Sequence, residues 1–248
     1  MDPPEARVSI INDAIQWLND PLNWTNPDGI IARTEEHLWI SAAAVGLACA
    51  VSWPVGLGLG HVGRGGTAVV AMTNLSRAVP TVALLTILPL TVIGFGPPAI
   101  ILALALFAIP PLLANAYLGV REVDPQVRDA GRGMGLSGWQ LLRSVELPLA
   151  VPYLANGLRI AAVQVLATAT LAAYVNGGGL GMIISRGFGL GLNAGGGQVL
   201  AGGLLVALLC LLADGALALV ERAVLPKALR RTGRHPARSA ADPVTATP

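Results

Sequence analysis

Long apolar runs, each closed by charge, proline or glycine, set the pattern of this chain. Leu38 to Gly60 carries no charged residue over 23 positions, about 34 Å as a helix at 1.5 Å per residue. Glu35 and Glu36 precede it, and His61 and Arg64 follow. Thr67 to Phe95 is a second run, interrupted by Arg77 and Pro80, so that its first half is either a separate short span or a surface turn entering the membrane. Gly94-Phe95-Gly96-Pro97-Pro98 breaks it sharply. Ala99 to Val120 forms a third run, Pro148 to Tyr174 a fourth and Gln198 to Val220 a fifth. Segments of this length and polarity predict helices that cross a hydrocarbon core of about 30 Å. The expected fold class is all-α, a polytopic transmembrane protein of about five spans, with six as the alternative.

Composition agrees. Only 12% of the residues are charged and 54% are hydrophobic, with a mean hydropathy of +0.64, against roughly a quarter charged in a soluble domain. A net charge of +2 is too small to imply nucleic acid as a partner. Residues 1–36 hold two basic residues against seven acidic, whereas 221–248 hold six against two. The positive-inside tendency puts the C-terminal tail in the cytoplasm and leaves the N-terminal segment outside. Five spans satisfy that asymmetry, and six would place the acidic N-terminus inside. The chain thus divides into an extracytoplasmic segment 1–36, a membrane domain 37–225 with a cytoplasmic loop 121–147, and a basic tail 226–248. Ile11, Ala14, Ile15, Leu18 and Leu22 recur at helical spacing beside Trp17 and Trp24. They read as an amphipathic helix at the outer interface, or as a polar segment with an aromatic anchor. Residues 1–36 lack the apolar core of a cleavable signal peptide.

Reactive chemistry is hard to find. His37, His61 and His235 are isolated, and no GxSxG or HExxH occurs. Gly131 to Gly135 is not followed by Gly-Lys-Ser/Thr, so it is no phosphate loop. Catalytic, cofactor and metal sites are therefore not expected. Cys49 and Cys210 lie in apolar runs and read as small buried hydrophobes. Arg159 and Asp214 stand inside spans, where charge is costly and defaults to a functional role. They either pair or line a path; the plainer reading has Asp214 snorkelling to the inner surface and Arg159 meeting backbone carbonyls or a partner subunit. Arg77, before Pro80, reads as a kink or interface residue. Gly56-xxx-Gly60 and Gly191-xxx-Gly195 permit close helix contact.

The polar block 121–146 holds four arginines and four acids. From Pro125 it predicts a short helix, a glycine break near Gly133–Gly135, and a second short helix capped by Ser137. Pro148 suits the first turn of the next span. This segment resembles the EAA motif of ABC importer permeases: Asp129, Ala130, Gly131, Gly135, Val145, Leu147 and Pro148 stand at the family's spacing. Asp129 replaces a Glu and Gly131 replaces an Ala, and the shorter acid weakens a contact. Further pieces resemble osmoprotectant-importer permeases: Glu36-His37-Leu38, Arg77 to Thr81, Asn115 to Val120, Ala167 to Ala173, and Gly177 to Gly181. The resemblance implies a type I, MetI-like permease fold and passage of glycine betaine, choline, carnitine or a related solute. It also implies two ATPase subunits docked on residues 124–148, a second permease copy or paralogue, and an external solute-binding protein. With only 4% aromatic residues, the chain has little material for a cation cage, which fits recognition by the binding protein. An amino-acid permease of the methionine type would share the docking loop. A secondary transporter would show inverted repeats or a membrane acidic relay, and only Asp214 is available for one.

Overall fold

The computed structural model describes residues 3–224, with the side chains of 3–9, 75–77 and 224 set aside, so the Arg77 side chain and the basic tail 226–248 lie outside the described residues. Its elements are α1 (Pro3–Asn19), α2 (Pro21–Thr25), α3 (Ile30–Val62), α4 (Gly66–Ala78), α5 (Thr81–Ile87), α6 (Pro97–Arg121), α7 (Pro125–Gly133), α8 (Gly138–Leu141), α9 (Leu147–Ala169), α10 (Gly181–Gly189) and α11 (Leu192–Val224). Short 3₁₀ turns extend α5 and α9, and a π-turn over Leu142–Glu146 joins α8 to α9.

Helix boundaries follow local chemistry. Gly63 closes α3 in the left-handed region, its N–H donating to the Leu59 and Gly60 carbonyls. Gly96, at φ +130°, turns the chain into Pro97 and Pro98, whose missing N–H groups cost nothing in a first turn.

Among the described residues four helical stretches are long and apolar enough to cross a bilayer: Pro21–Val62, Pro97–Arg121, Gly138–Val175 and Leu192–Ala223. The expected second span, 67–95, is not one helix. Pro80 cannot continue α4 and sets an extended residue before α5, leaving helices of 13 and 7 residues. Topology nevertheless makes this pair a crossing. Glycines of α3 meet the last turns of α6 at one end, and the Gly177 backbone reaches Ile100 at the start of α6 at the other. Thus α3 and α6 run parallel, and the broken α4–α5 pair must return the chain between them. With α9 and α11, the described residues hold four spanning helices and this broken pair.

Packing relies on small residues, as expected where lipid gives little reward for burying apolar surface. Ala44, Ala48, Ala103, Ala108 and Ala161 are fully buried in the central cluster. Gly56-xxx-Gly60 is the α3–α6 seam: a Cβ at Gly56 would lie 2.6 Å from Ala116 Cβ, and one at Gly60 would lie 2.8 Å from Val120 Cβ. Of the second pair, Gly195 touches the Gly187 carbonyl, while Gly191 serves only a turn at φ +78°.

The N-terminal segment is helical but does not lie apart from the bundle. Ala14 is buried, and a Cβ at Gly197 of α11 would collide with Asp13 and Ala14. Ile11 and Ile15 remain half exposed. The expected boundary at residue 36 falls inside α3, which continues unbroken from Ile30. Both cysteines are free, Cys49 buried and Cys210 partly so.

Candidate functional site

The polar block folds as a helix–glycine–helix hairpin. Asp124 caps α7 by accepting from the Gln126 N–H at 2.8 Å. Ser137 and Gln140 form a capping box on α8. Between them Gly135 adopts φ +81°, and a Cβ added there would have no neighbour within 4 Å, so its role is conformational and not steric. Gly131 is the opposite case. It is buried, and a Cβ there would stand 2.7 Å from Leu141, 3.5 Å from Leu136 and 4.0 Å from Val145. Those apolar side chains hold the two short helices together. Asp129 and Ala130 are exposed, as are Met134 and Trp139, and together they give the hairpin an outward face. Leu147 is half-buried and Pro148 exposed at the start of α9.

What the sequence did not disclose is how this hairpin is tied to the bundle. Glu146, one residue before Leu147, is completely buried. His61 Nδ1, at the end of α3, lies 2.6 Å from one of its oxygens, and Arg128 Nε of α7 lies 3.2 Å from the other. Arg128 also donates to the Val120 carbonyl near the end of α6. One carboxylate therefore joins α3, α7 and the π-turn, and one guanidinium adds α6. A lone acid inside the apolar stretch Val145–Leu149 was the available signal.

A second clamp lies at the opposite end of the bundle. Asn176, Gly178 and Gly179 all take positive φ, which turns backbone N–H groups toward the start of α3. Glu36 accepts from Gly179 N–H at 2.8 Å and from Arg33 at 2.6 Å. The His37 ring bridges Leu180 N–H at 3.3 Å and the Leu166 carbonyl at 2.9 Å. Accepting at Nδ1 and donating at Nε2 requires the neutral ring. Arg186 of α10 adds an ion pair to Asp28 at 2.9 Å. Two of the sequence pieces, Glu36-His37 and Gly177–Gly181, are thus one unit across 143 positions of chain.

Between the clamps the Pro80 break and the Pro110–Pro111 step in α6 leave a cavity of about 600 Å³ lined by Thr73, Thr81, Phe107, Asn115 and Gln164 among others. Asn115 is held there by donating to the Pro111 carbonyl at 2.8 Å and accepting from Asn156 of α9 at 3.1 Å. Arg159 and Asp214 do pair: Nη2 meets Oδ2 at 2.6 Å, and Nε meets the other oxygen. Of the readings left open, pairing is the one the structure shows, because α9 and α11 pack side by side and bring the two together. Among the described residues no cluster of His, Cys, Asp or Glu could hold a metal ion.

Among the described residues four spanning helices with the broken α4–α5 pair, a cavity of mixed polar and apolar lining between them and a hairpin at one end make a multi-pass membrane transport subunit. Residues 44–226 match the binding-protein-dependent transport system inner membrane components, and the chain belongs to that family. The glycine betaine/carnitine/choline transport system permease protein OpuCB of Bacillus subtilis is 35% identical over 207 residues, covering 83% of this chain and 93% of that protein. The osmoprotectant import permease protein OsmW of Salmonella typhimurium is 31% identical over 223 residues, covering 88% of this chain and 100% of that one. In structure, an inward-facing form of the MetNI methionine ABC transporter superposes with a TM-score of 0.72 at 26% identity, covering 84% of this chain and 100% of that chain.

Proposed function

We propose that this chain is the membrane-spanning permease subunit of an ABC importer for quaternary-ammonium osmoprotectants such as glycine betaine, carnitine or choline. The observation that carries the reading is the ordered hairpin 124–148, whose exposed Asp129–Ala130 face rests on a buried Gly131. The chain's likeness over four-fifths of its length to permeases named for these solutes supports the solute class over methionine. Two permease subunits, identical or paralogous, enclose the path, and an ATPase subunit seats on each hairpin. An external binding protein delivers solute at the end that carries the Gly177–Gly181 clamp. The hairpin end, where Val220 and Glu221 of α11 lie near Val151 and Leu154 of α9, faces the cytoplasm, and the basic tail 226–248 follows it there. The chain itself hydrolyses nothing; closure of the ATPase dimer moves the hairpins, and the clamp of Glu146 carries that movement into α3, α6 and α9.

The test is uptake of labelled glycine betaine into vesicles holding the permease, its ATPase and its binding protein, with choline and methionine as competitors. The expected result is ATP-dependent uptake that choline blocks and methionine does not. Uptake without ATP refutes the ABC mechanism, and uptake of methionine alone refutes the solute class.

A further inference from the structure

We infer that the Arg159–Asp214 pair is a transit site for zwitterions, opened by a solute that carries both a carboxylate and an ammonium; this rests on the proposed solute class. The pair's depth is the first reason. Arg159 lies 11 residues beyond Pro148, about 16 Å along the helix, which is roughly half of a hydrocarbon core of about 30 Å. Charges at that depth are expensive on a lipid face and belong on a partner or a polar path. Yet the two side chains are 38% and 36% exposed, so the chain does not seal them.

The second reason is where they are reachable from. They line a recess of about 410 Å³ together with Asn156, Ile160 and Gln164 of α9. Ile160 and Gln164 also line the cavity of about 600 Å³. The two spaces share a wall, and the ion pair stands at its edge. Asn156, Ile160 and Gln164 recur every fourth residue, a single stripe down α9.

Chemistry supplies the third. A quaternary ammonium has no N–H to donate, so it is held by aromatic faces or by an anion. Among the described residues Phe107 is the only aromatic one lining either space, too few for a cage. Asp214 is the only acid among those lining residues. The planar fork of Arg159 suits a carboxylate in the same bidentate way that it now holds Asp214. A betaine inserted between them exchanges one ion pair for two, Arg159 with the solute carboxylate and Asp214 with its ammonium, and total charge stays zero. Choline brings only the cation and leaves Arg159 without its bidentate carboxylate partner, with Glu221, two turns further along α11, the other acid acting on it. The site therefore favours zwitterions over simple cations, independently of the binding protein.

The experiment measures maximal uptake rates of glycine betaine and of choline in vesicles carrying the complete complex, each with the binding protein saturated. The variants are Arg159→Gln/Asp214→Asn and the reversal Arg159→Asp/Asp214→Arg, with binding-protein-stimulated ATP hydrolysis confirming assembly. The neutral pair is expected to lower the betaine-to-choline rate ratio about tenfold, the scale of one lost charge-assisted contact. The reversal is expected to recover much of the ratio, since a zwitterion can enter either way round. An unchanged ratio in the neutral pair, whether both rates fall together or neither moves, overturns the transit site and leaves the solute class standing. A wild-type complex that moves neither solute overturns both.

Discussion

Truncating Glu146 to alanine tests the idea that one buried carboxylate moors the hairpin. The side chain is 0% exposed and meets His61 at 2.6 Å and Arg128 at 3.2 Å. Its removal strands the Arg128 guanidinium, itself only 11% exposed, on the single carbonyl of Val120. Breaking a buried ion pair from one side costs about 3–5 kcal/mol, because the partner charge stays buried. Glu146→Gln keeps the shape and one acceptor and should lose about 1.5–3 kcal/mol, the range for a hydrogen bond to a charged group. Replacing both charges, Glu146→Leu with Arg128→Met, removes the stranded charge and should cost much less than the sum of the two single changes. The assay is equilibrium unfolding of the purified permease in mixed micelles by denaturing detergent, with ATP hydrolysed per solute imported measured in vesicles. The double variant should regain stability and still waste ATP, since the hairpin no longer pulls on α3. A loss below about 1 kcal/mol for Glu146→Ala, the size of an exposed pair, refutes the reasoning.

Other expectations are simpler. Gly131→Val drives a side chain against Leu141, 2.7 Å from the added Cβ, and should cost about 1–3 kcal/mol by overpacking; an unfolding titration at wild-type stability would exclude that contact. Asp129→Lys alters a side chain 73% exposed, so stability should shift by no more than about 0.5 kcal/mol while uptake is abolished; normal uptake removes the docking assignment. Gly135→Ala meets no neighbour but must hold φ +81°, a strain of about 1–2 kcal/mol visible in the same titration. Glu36→Gln weakens the acceptor of the Gly179 N–H in a half-exposed clamp. Amide exchange at Gly179 should quicken about fivefold, as expected for roughly 1 kcal/mol, and unchanged exchange would show that the loop holds itself.

The apolar runs alone determined an all-helical membrane protein, since a segment of that length without charge has no other stable form in lipid. Pro125, the glycines of Gly133–Gly135 and Ser137 also determined the hairpin, because helix starts, caps and a glycine break act over three or four residues. Small residues at Gly56 and Gly60 announced a close helix seam, although not which helix would fill it. Tertiary structure decided everything that joins distant positions. His61 and Glu146 are 85 residues apart, Arg159 and Asp214 are 55 apart, and Glu36 reaches Gly179 across 143. Each polar side chain reads alone as an isolated cost, and only packing shows its partner. The break of 67–95 into two helices had the same origin: Pro80 made a kink available, but the parallel course of α3 and α6 made the broken pair a crossing.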